Sequence, residues 1–392
     1  MKKIIFYLFI FILIFIVNHI VFPIKITISA IGDIMMHYEQ QKYALTQKDN
    51  YLSLFEPTNK VFLNDDLTIA NLETVICDKL PINGYPVFNA KSLLLDAIKK
   101  SGIEVLSIAN NHTLDYGPKI VKTTIDEIKK RKILFSGAGY NKEDSFKPVI
   151  FSVKGIFVAF ISATWSSNNK QTQDNINNTY VNIIPMDNKK IINEFCEKIK
   201  ETKLKVDLLI VSYHCGNEYT TIPIKEKENI LKLFAESGAD IVLSHHPHFL
   251  QKVEYYITKD NRKTLIAFSL GNFVSGQSRF IPVINSKKKW VYESTLTKTA
   301  ESIILQFDVL KLKNKISIIN TRIIPVFNIC FTYNYNNKKE IGYKTLFIED
   351  ILKINQKKIF GYYDFENSVK KVVSYRLNKI KKLIQMPVMS PD

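Results

Sequence analysis

Cysteine is scarce in this chain of 392 residues. There are four, Cys77, Cys196, Cys215 and Cys330, far apart and never in a Cys-x-x-Cys pair. That excludes a zinc ribbon and a thioredoxin motif, and leaves the four expected as mostly free, structural thiols. Glycine and proline, at 13 each, are too few for a linker-rich or disordered protein. No RNP motif, zinc finger or arginine cluster is present, so nucleic acid is not an expected partner. Acidic residues are also in deficit, 37 against 54 Lys and Arg, for a formal charge of +17. A balance this basic suits contact with something anionic, a membrane surface or an acidic polymer. Histidine is rarer still than glycine or proline, with seven copies, and three of them crowd into "VLSHHPHFLQ" at residues 242–251.

Hydrophobic residues make up 46% and aromatics 12%, enough for a sizeable packed core. The sequence divides into three parts. Residues 1–23 open with Lys2 and Lys3 and continue as an almost unbroken apolar run over residues 4–22, long enough to span a bilayer as a helix. The flanking lysines and the missing small-residue cleavage site predict an uncleaved signal anchor. The expected location is therefore the cell membrane, single-pass, with the domain on the extracellular face and the membrane itself a partner. Residues 24–330 form the main domain, and residues 331–392 read as a basic, mostly helical C-terminal segment.

Within the main domain, short β-type runs alternate with helical stretches, which predicts an α/β fold with much parallel pairing. In such sheets the functional site lies beyond the carboxyl ends of the strands. The polar residues fall there repeatedly: Asp33 after "IKITISAIG", Glu73 after "LTIANL", Asn111 and His112 after "VLSIAN", His214 after "LLIVSY", and His245, His246 and His248 after "DIVLS". Six of the seven histidines sit in these strand-end segments. Imidazole, carboxylate and amide oxygen together suit a borderline divalent metal such as Zn, Mn or Fe. The donors Asp33, Glu73, Asn111, His214, His246 and His248 are too many for one ion and suit two, with one carboxylate bridging. Strand alternation is taken to point His246 and His248 into the site and His245 away from it.

The ordered motifs "GDIMMH", "NLET", "GYPVFNA", "ANNHTLDYG", "GAGYN", "YHCGNEY", "SHHPHFLQ" and "SLGNF" cover about residues 26–278. In these the chain resembles the CapA family of poly-γ-glutamate capsule synthesis proteins, within the calcineurin-like metallophosphoesterase superfamily. The resemblance implies a sandwich of two mixed β-sheets flanked by helices. It implies Asp33 as first metal aspartate, Glu73 as bridging acid, Asn111, His214, His246 and His248 as further ligands, His112 as general acid and Asp115 as the residue orienting it. It further implies two divalent metal ions (Mn, Fe or Zn) and a metal-dependent hydrolase that helps synthesise, export or anchor an anionic capsule polymer. The implied partners are that polymer or a phosphoester substrate, and membrane-bound capsule synthase subunits. The alternatives are a phosphoesterase for another envelope substrate and a non-catalytic scaffold subunit of a polymer synthase. The chain departs from the pattern in four places. His37 stands two residues later than the superfamily's first-site histidine, the bridging acid is Glu73 rather than Asp, and Cys215 and Ser244 stand where Trp and Gly are common.

Overall fold

The computed structural model describes residues 22–169, 180–277, 292–335, 338–353 and 363–389. Two mixed β-sheets stack face to face, with helices on both outer sides, as the α/β sandwich expectation requires.

The first sheet has eight strands. At its centre lies β1 (Ile24–Met35), followed to one side by β2 (Leu67–Leu72), β3 (Val105–Ser107) and β4 (Leu134–Ser136), all parallel. The second sheet has six strands. Its middle is the parallel set β6 (Ile156–Thr164), β7 (Leu208–His214), β8 (Ile241–His245) and β10 (Lys263–Ala267). Antiparallel edge strands close it, β5 (Val149–Val153) on β6 and β9 (Val253–Ile257) on β10. The β5–β6 hairpin turns at Lys154 and Gly155, both at positive φ (48° and 86°), where the sequence places a turn. Returning to the first sheet, β11 (Asn272–Ser275) runs parallel to the end of β1. On the other side of β1 lie three antiparallel strands, β12 (Glu301–Leu312), β13 (Lys315–Tyr335) and β14 (Lys338–Phe347).

Side-chain alternation sorts three cores. Ile26, Ile28, Leu67, Ile69, Ile156, Val158, Leu208, Ile210, Ile241 and Leu243 meet between the sheets. Their neighbours along the strands pack outward, Leu209, Val211 and Val242 against the helices Lys189–Lys203 and Lys225–Glu236. On the outer face of the first sheet, Leu94 and Ile98 of helix Leu93–Lys100 and Ile125 and Ile128 of helix Pro118–Lys130 cover Ala70 and Leu106. Both helices bury apolar residues at helical spacing, and Gly102 (φ 85°) stops the first where the sequence places its end.

Three expectations about the termini change. The span expected over residues 4–22 lies almost wholly outside the described residues, and among the described residues no helix is long and apolar enough to cross a membrane. That finding overturns the expected single-pass location with an extracellular domain. The boundary drawn at residue 330 falls inside β13, which continues to Tyr335 and pairs with β14. The segment expected to be mostly helical contains the strand β14, and its helix Tyr363–Ile384 buries Val372, Val373, Ile380 and Ile384 in the core between the sheets. Its Arg376 grips Glu301 at the start of β12 through two hydrogen bonds of 2.8 and 2.6 Å, with both side chains almost fully buried.

Removing one member of a buried, doubly bonded pair strands the other charge, at a cost of about 3–5 kcal/mol. Arg376→Met should lower the urea-unfolding free energy by that order, and the double change Arg376→Met/Glu301→Leu should recover most of it. A loss under about 1 kcal/mol for the single change would show that the pair does not hold the helix.

Candidate metal centre

Both sheets direct the carboxyl ends of their parallel strands to one place. In β7, Leu208 and Ile210 face the inner core, so His214 falls on the same face. In β2, Leu67 and Ile69 face inward, and Asn71 and then Glu73 continue that phase. In β1 the phase breaks. Ile31 and Ile34 both pack on the outer side, three residues apart, which a regular period of two forbids. The register against β2 shifts between Ala30 and Asp33, and this bulge turns Asp33 off the outer face and toward the site. Gly32 makes it possible: a Cβ there would lie 1.9 Å from the carbonyl oxygen of Gly271.

The side chains that result are buried. Asp33, Glu73 and His214 each offer one ligand atom, and the three atoms lie within 4.8 Å of one another, a cluster able to hold a metal. Nε2 of His214 is the focus. It lies 2.7 Å from Asn111 Oδ1, 3.2 Å from His246 Nδ1 and 3.5 Å from Glu73 Oε1. Asp33 is contacted by His245 Nδ1 at 3.2 Å and by His248 Nδ1 at 3.4 Å. These are near contacts of poor alignment, because Asp33 Oδ2, Glu73 Oε1 and His245 Nδ1 have no hydrogen bond that satisfies them. Several acceptor-rich groups converging on one nitrogen cannot all be served by its single proton. Such a set of lone pairs fits a borderline divalent cation.

The titration of the cluster follows from burial and neighbours. Burial pushes the Asp33 carboxyl up, but His245 and His248 outweigh it and hold it well below the usual carboxylate range. Burial, then the charge of Asp33, pushes Glu73 well above that range. Two neighbouring carboxylates are thus split into an ionised and a protonated one. Burial, then His246, holds His214 well below the usual imidazole value. Burial, then His248, takes His246 down to about 3. His248 resists burial through Asp33 and is raised instead.

His112 and Asp115 stand beside this cluster as a pair, Nδ1 to Oδ2 at 2.9 Å. The same Asp115 oxygen accepts the Phe88 backbone N–H at 2.7 Å, and the Phe88 ring meets His112 edge-on at 4.6 Å. The Phe88 ring also meets His37 edge-on, at 5.2 Å between ring centroids. His245 corrects the alternation argument. Counted from Ile241 and Leu243, which face the inner core, His245 is the residue that strand phase aims at Asp33. The strand ends there, and His246 and His248 are brought back by positive φ values of 96° and 57°. Sequence reasoning also passed over Asn71, which donates to Asp33 Oδ1 at 2.8 Å, and Asn272, whose Oδ1 lies 3.0 Å from His248 Nδ1. Their strand-end positions in "IANLE" and "LGNF" were the available signal. Lys227 had none. It is fully buried, its ammonium is pushed down to about 8 by burial, and it donates to the Cys215 carbonyl at 3.0 Å.

His246 sets a pH dependence. The unfolded chain binds a proton on this histidine near its ordinary value of about 6.5, the folded chain not until about 3, so acidification through that window favours unfolding. In chelator-treated protein, wild type should lose about 1–2 kcal/mol more than His246→Asn between pH 7 and pH 5, measured by urea unfolding. Parallel pH profiles for the two would show that His246 is not held neutral by the fold.

Residues 27–277 match the family described as bacterial capsule synthesis protein PGA_cap. Among curated proteins, the capsule biosynthesis protein CapA of Bacillus anthracis is 30% identical over 261 residues, 64% of this chain and 60% of that one. The PGA biosynthesis protein CapA of Bacillus subtilis (strain 168) is 30% identical over 256 residues, 64% and 63% of the two chains. The match thus spans less than two thirds of the length of either relative. A solved hypothetical protein from Thermus thermophilus covers 76% of this chain and 99% of its own at 12% identity and a TM-score of 0.43, too slight a likeness to bear on the site. With a family match over residues 27–277 of its 392, this chain belongs to the bacterial capsule synthesis protein PGA_cap family.

Proposed function

We propose that this protein takes part in making, exporting or anchoring an anionic capsule polymer such as poly-γ-glutamate, through a metal-dependent hydrolytic site of metallophosphoesterase type. The observation that carries the hydrolytic part is the convergence of buried Asp33, Glu73 and His214, with Asp33 Oδ2 and Glu73 Oε1 left without a hydrogen-bond partner. The capsule part rests on the family match and on relatives whose names refer to capsule and PGA biosynthesis. In this reading Asp33, Glu73, Asn111, His214, His246 and His248 would hold two divalent ions (Mn, Fe or Zn). His245 touches Asp33 and supports it from beside the ligand group. Bound there, the ions would supply Lewis acidity and neutralise anionic oxygen.

The chain's own residues do the rest. Asp115 accepts the Nδ1 proton of His112, which fixes the tautomer and leaves Nε2 as the working nitrogen. Asn168 Nδ2 lies 3.4 Å from that Nε2, and Phe88 walls off the ring's edge. In its doubly protonated form, paired with Asp115, His112 is thereby placed to give the Nε2 proton to a leaving oxygen or nitrogen and to keep the Nδ1 proton. The substrate class is the polymer itself or a phosphoester formed in its handling, and capsule synthase subunits are the proposed partners. The formal charge of +17 favours such an anionic substrate.

Asp33→Asn should reduce bound Mn or Zn to background by elemental analysis and abolish hydrolysis of both poly-γ-glutamate and a simple phosphodiester. His112→Gln should keep the metal and lose about 10²–10⁴-fold in kcat. Wild-type protein that retains no metal after incubation with either ion would overturn the hydrolytic reading. Full metal content with no turnover of either substrate would favour a scaffold role in the synthase.

A further inference from the structure

A second recess adjoins the cluster and is built differently. It has a volume of about 590 Å³, within the range of small-molecule sites. Its walls are apolar, with Trp165, Pro185, Met186 and Ile224 among them. Among the described residues its charged lining residues are Asp187 and Glu226, and none of them is a lysine or arginine, in a chain with 54 of these. Neither carboxylate forms an ion pair among the described residues, although lysines are their near neighbours in sequence. Trp165 joins the recess to the centre: its backbone N–H donates to the His214 carbonyl at 3.0 Å, and its ring stands 5.9 Å from that of His246. Its indole N–H is buried and has no acceptor.

From these features we propose that the recess binds an apolar amine, an alkyl or aryl group carrying a protonated nitrogen, and rejects the corresponding carboxylate. The apolar body fills the Pro185–Met186–Ile224 wall, where burial is favourable. The ammonium is attracted by Asp187 and Glu226 and by the face of Trp165. A carboxylate of the same shape meets two like charges and, among the described lining residues, no cation. This selectivity is opposite in sign to that expected of a protein with net charge +17, so the recess is not an extension of a polyanion track. It is placed to hold a neutral or cationic portion of a substrate, or a separate amine, beside the candidate centre.

The test needs no turnover, so its failure is distinct from failure of the metal reading. The sequence has two tryptophans, and Trp290→Phe leaves Trp165 as the sole indole reporter in the full chain. Titration with 2-phenylethylamine should change Trp165 emission saturably, about tenfold or more tighter than the near-isosteric 3-phenylpropionate. The double change Asp187→Asn/Glu226→Gln, at two exposed side chains, should erase that preference. Calorimetric titration of the unaltered chain gives the same comparison if Trp290→Phe fails to fold. Equal or tighter binding of the carboxylate, no binding of the amine, or an amine preference that survives the double change would each overturn the proposal.

Discussion

The close approach of two backbones, at Gly32 and Gly271, governs the centre of this molecule. Asp33 N–H donates to the Gly271 carbonyl at 3.0 Å, and no atom larger than hydrogen fits on the Gly32 Cα in that direction. The approach lets β1 bulge, and the bulge carries Asp33 from the helix-covered face to the edge where the two sheets meet. Gly271 in turn sits at φ 72°, where a Cβ would lie 2.6 Å from the Glu301 carbonyl, and it bridges to Ser302, which ties the site to the strand gripped by Arg376. A carboxylate so placed is shut away from solvent, and its charge is answered by histidines from β8 and the loop beyond it. The cluster is therefore an electrostatic compromise built into the architecture rather than an addition to a finished core.

That compromise explains why the neighbouring ionisable groups differ so much. Asp33 keeps its charge because two imidazoles face it, whereas Glu73, close to Asp33 and equally buried, is driven to its neutral form. His246 stays neutral because a further positive charge in the same buried volume would be prohibitive. Any cation entering among these groups would reverse the bias on Glu73, since proton and metal compete for the same oxygens.

Much of this was legible in the sequence, and the misses have physical causes. Asp33, Glu73, Asn111 and His214 each follow an apolar run, and the end of a parallel strand is where α/β folds collect their polar groups. His245 was misplaced because strand alternation was applied to His246 and His248, which lie beyond the end of the strand. Counting forward from Ile241 gives the observed face. The long antiparallel strands after residue 300 carried no recognisable motif, so the C-terminal part read as helical. The burial of Lys227 and the Gly32–Gly271 contact are products of distant segments meeting, and no local pattern encodes them.

The position of β1 has a consequence in time. Thr27 on this strand is bonded to Asp308, 281 residues further along the chain, and β12 is the partner that completes its second side. During synthesis at about 5–20 residues per second, β1 therefore waits on the order of tens of seconds with one row of its backbone groups unpaired. The parallel pairs β1–β2–β3 can form earlier, but they leave an open apolar edge at the middle of the future sheet. A protein wired this way keeps a pairing-competent edge open for much of its synthesis, and its yield in a cell should depend on what shields that edge while the rest of the chain is made.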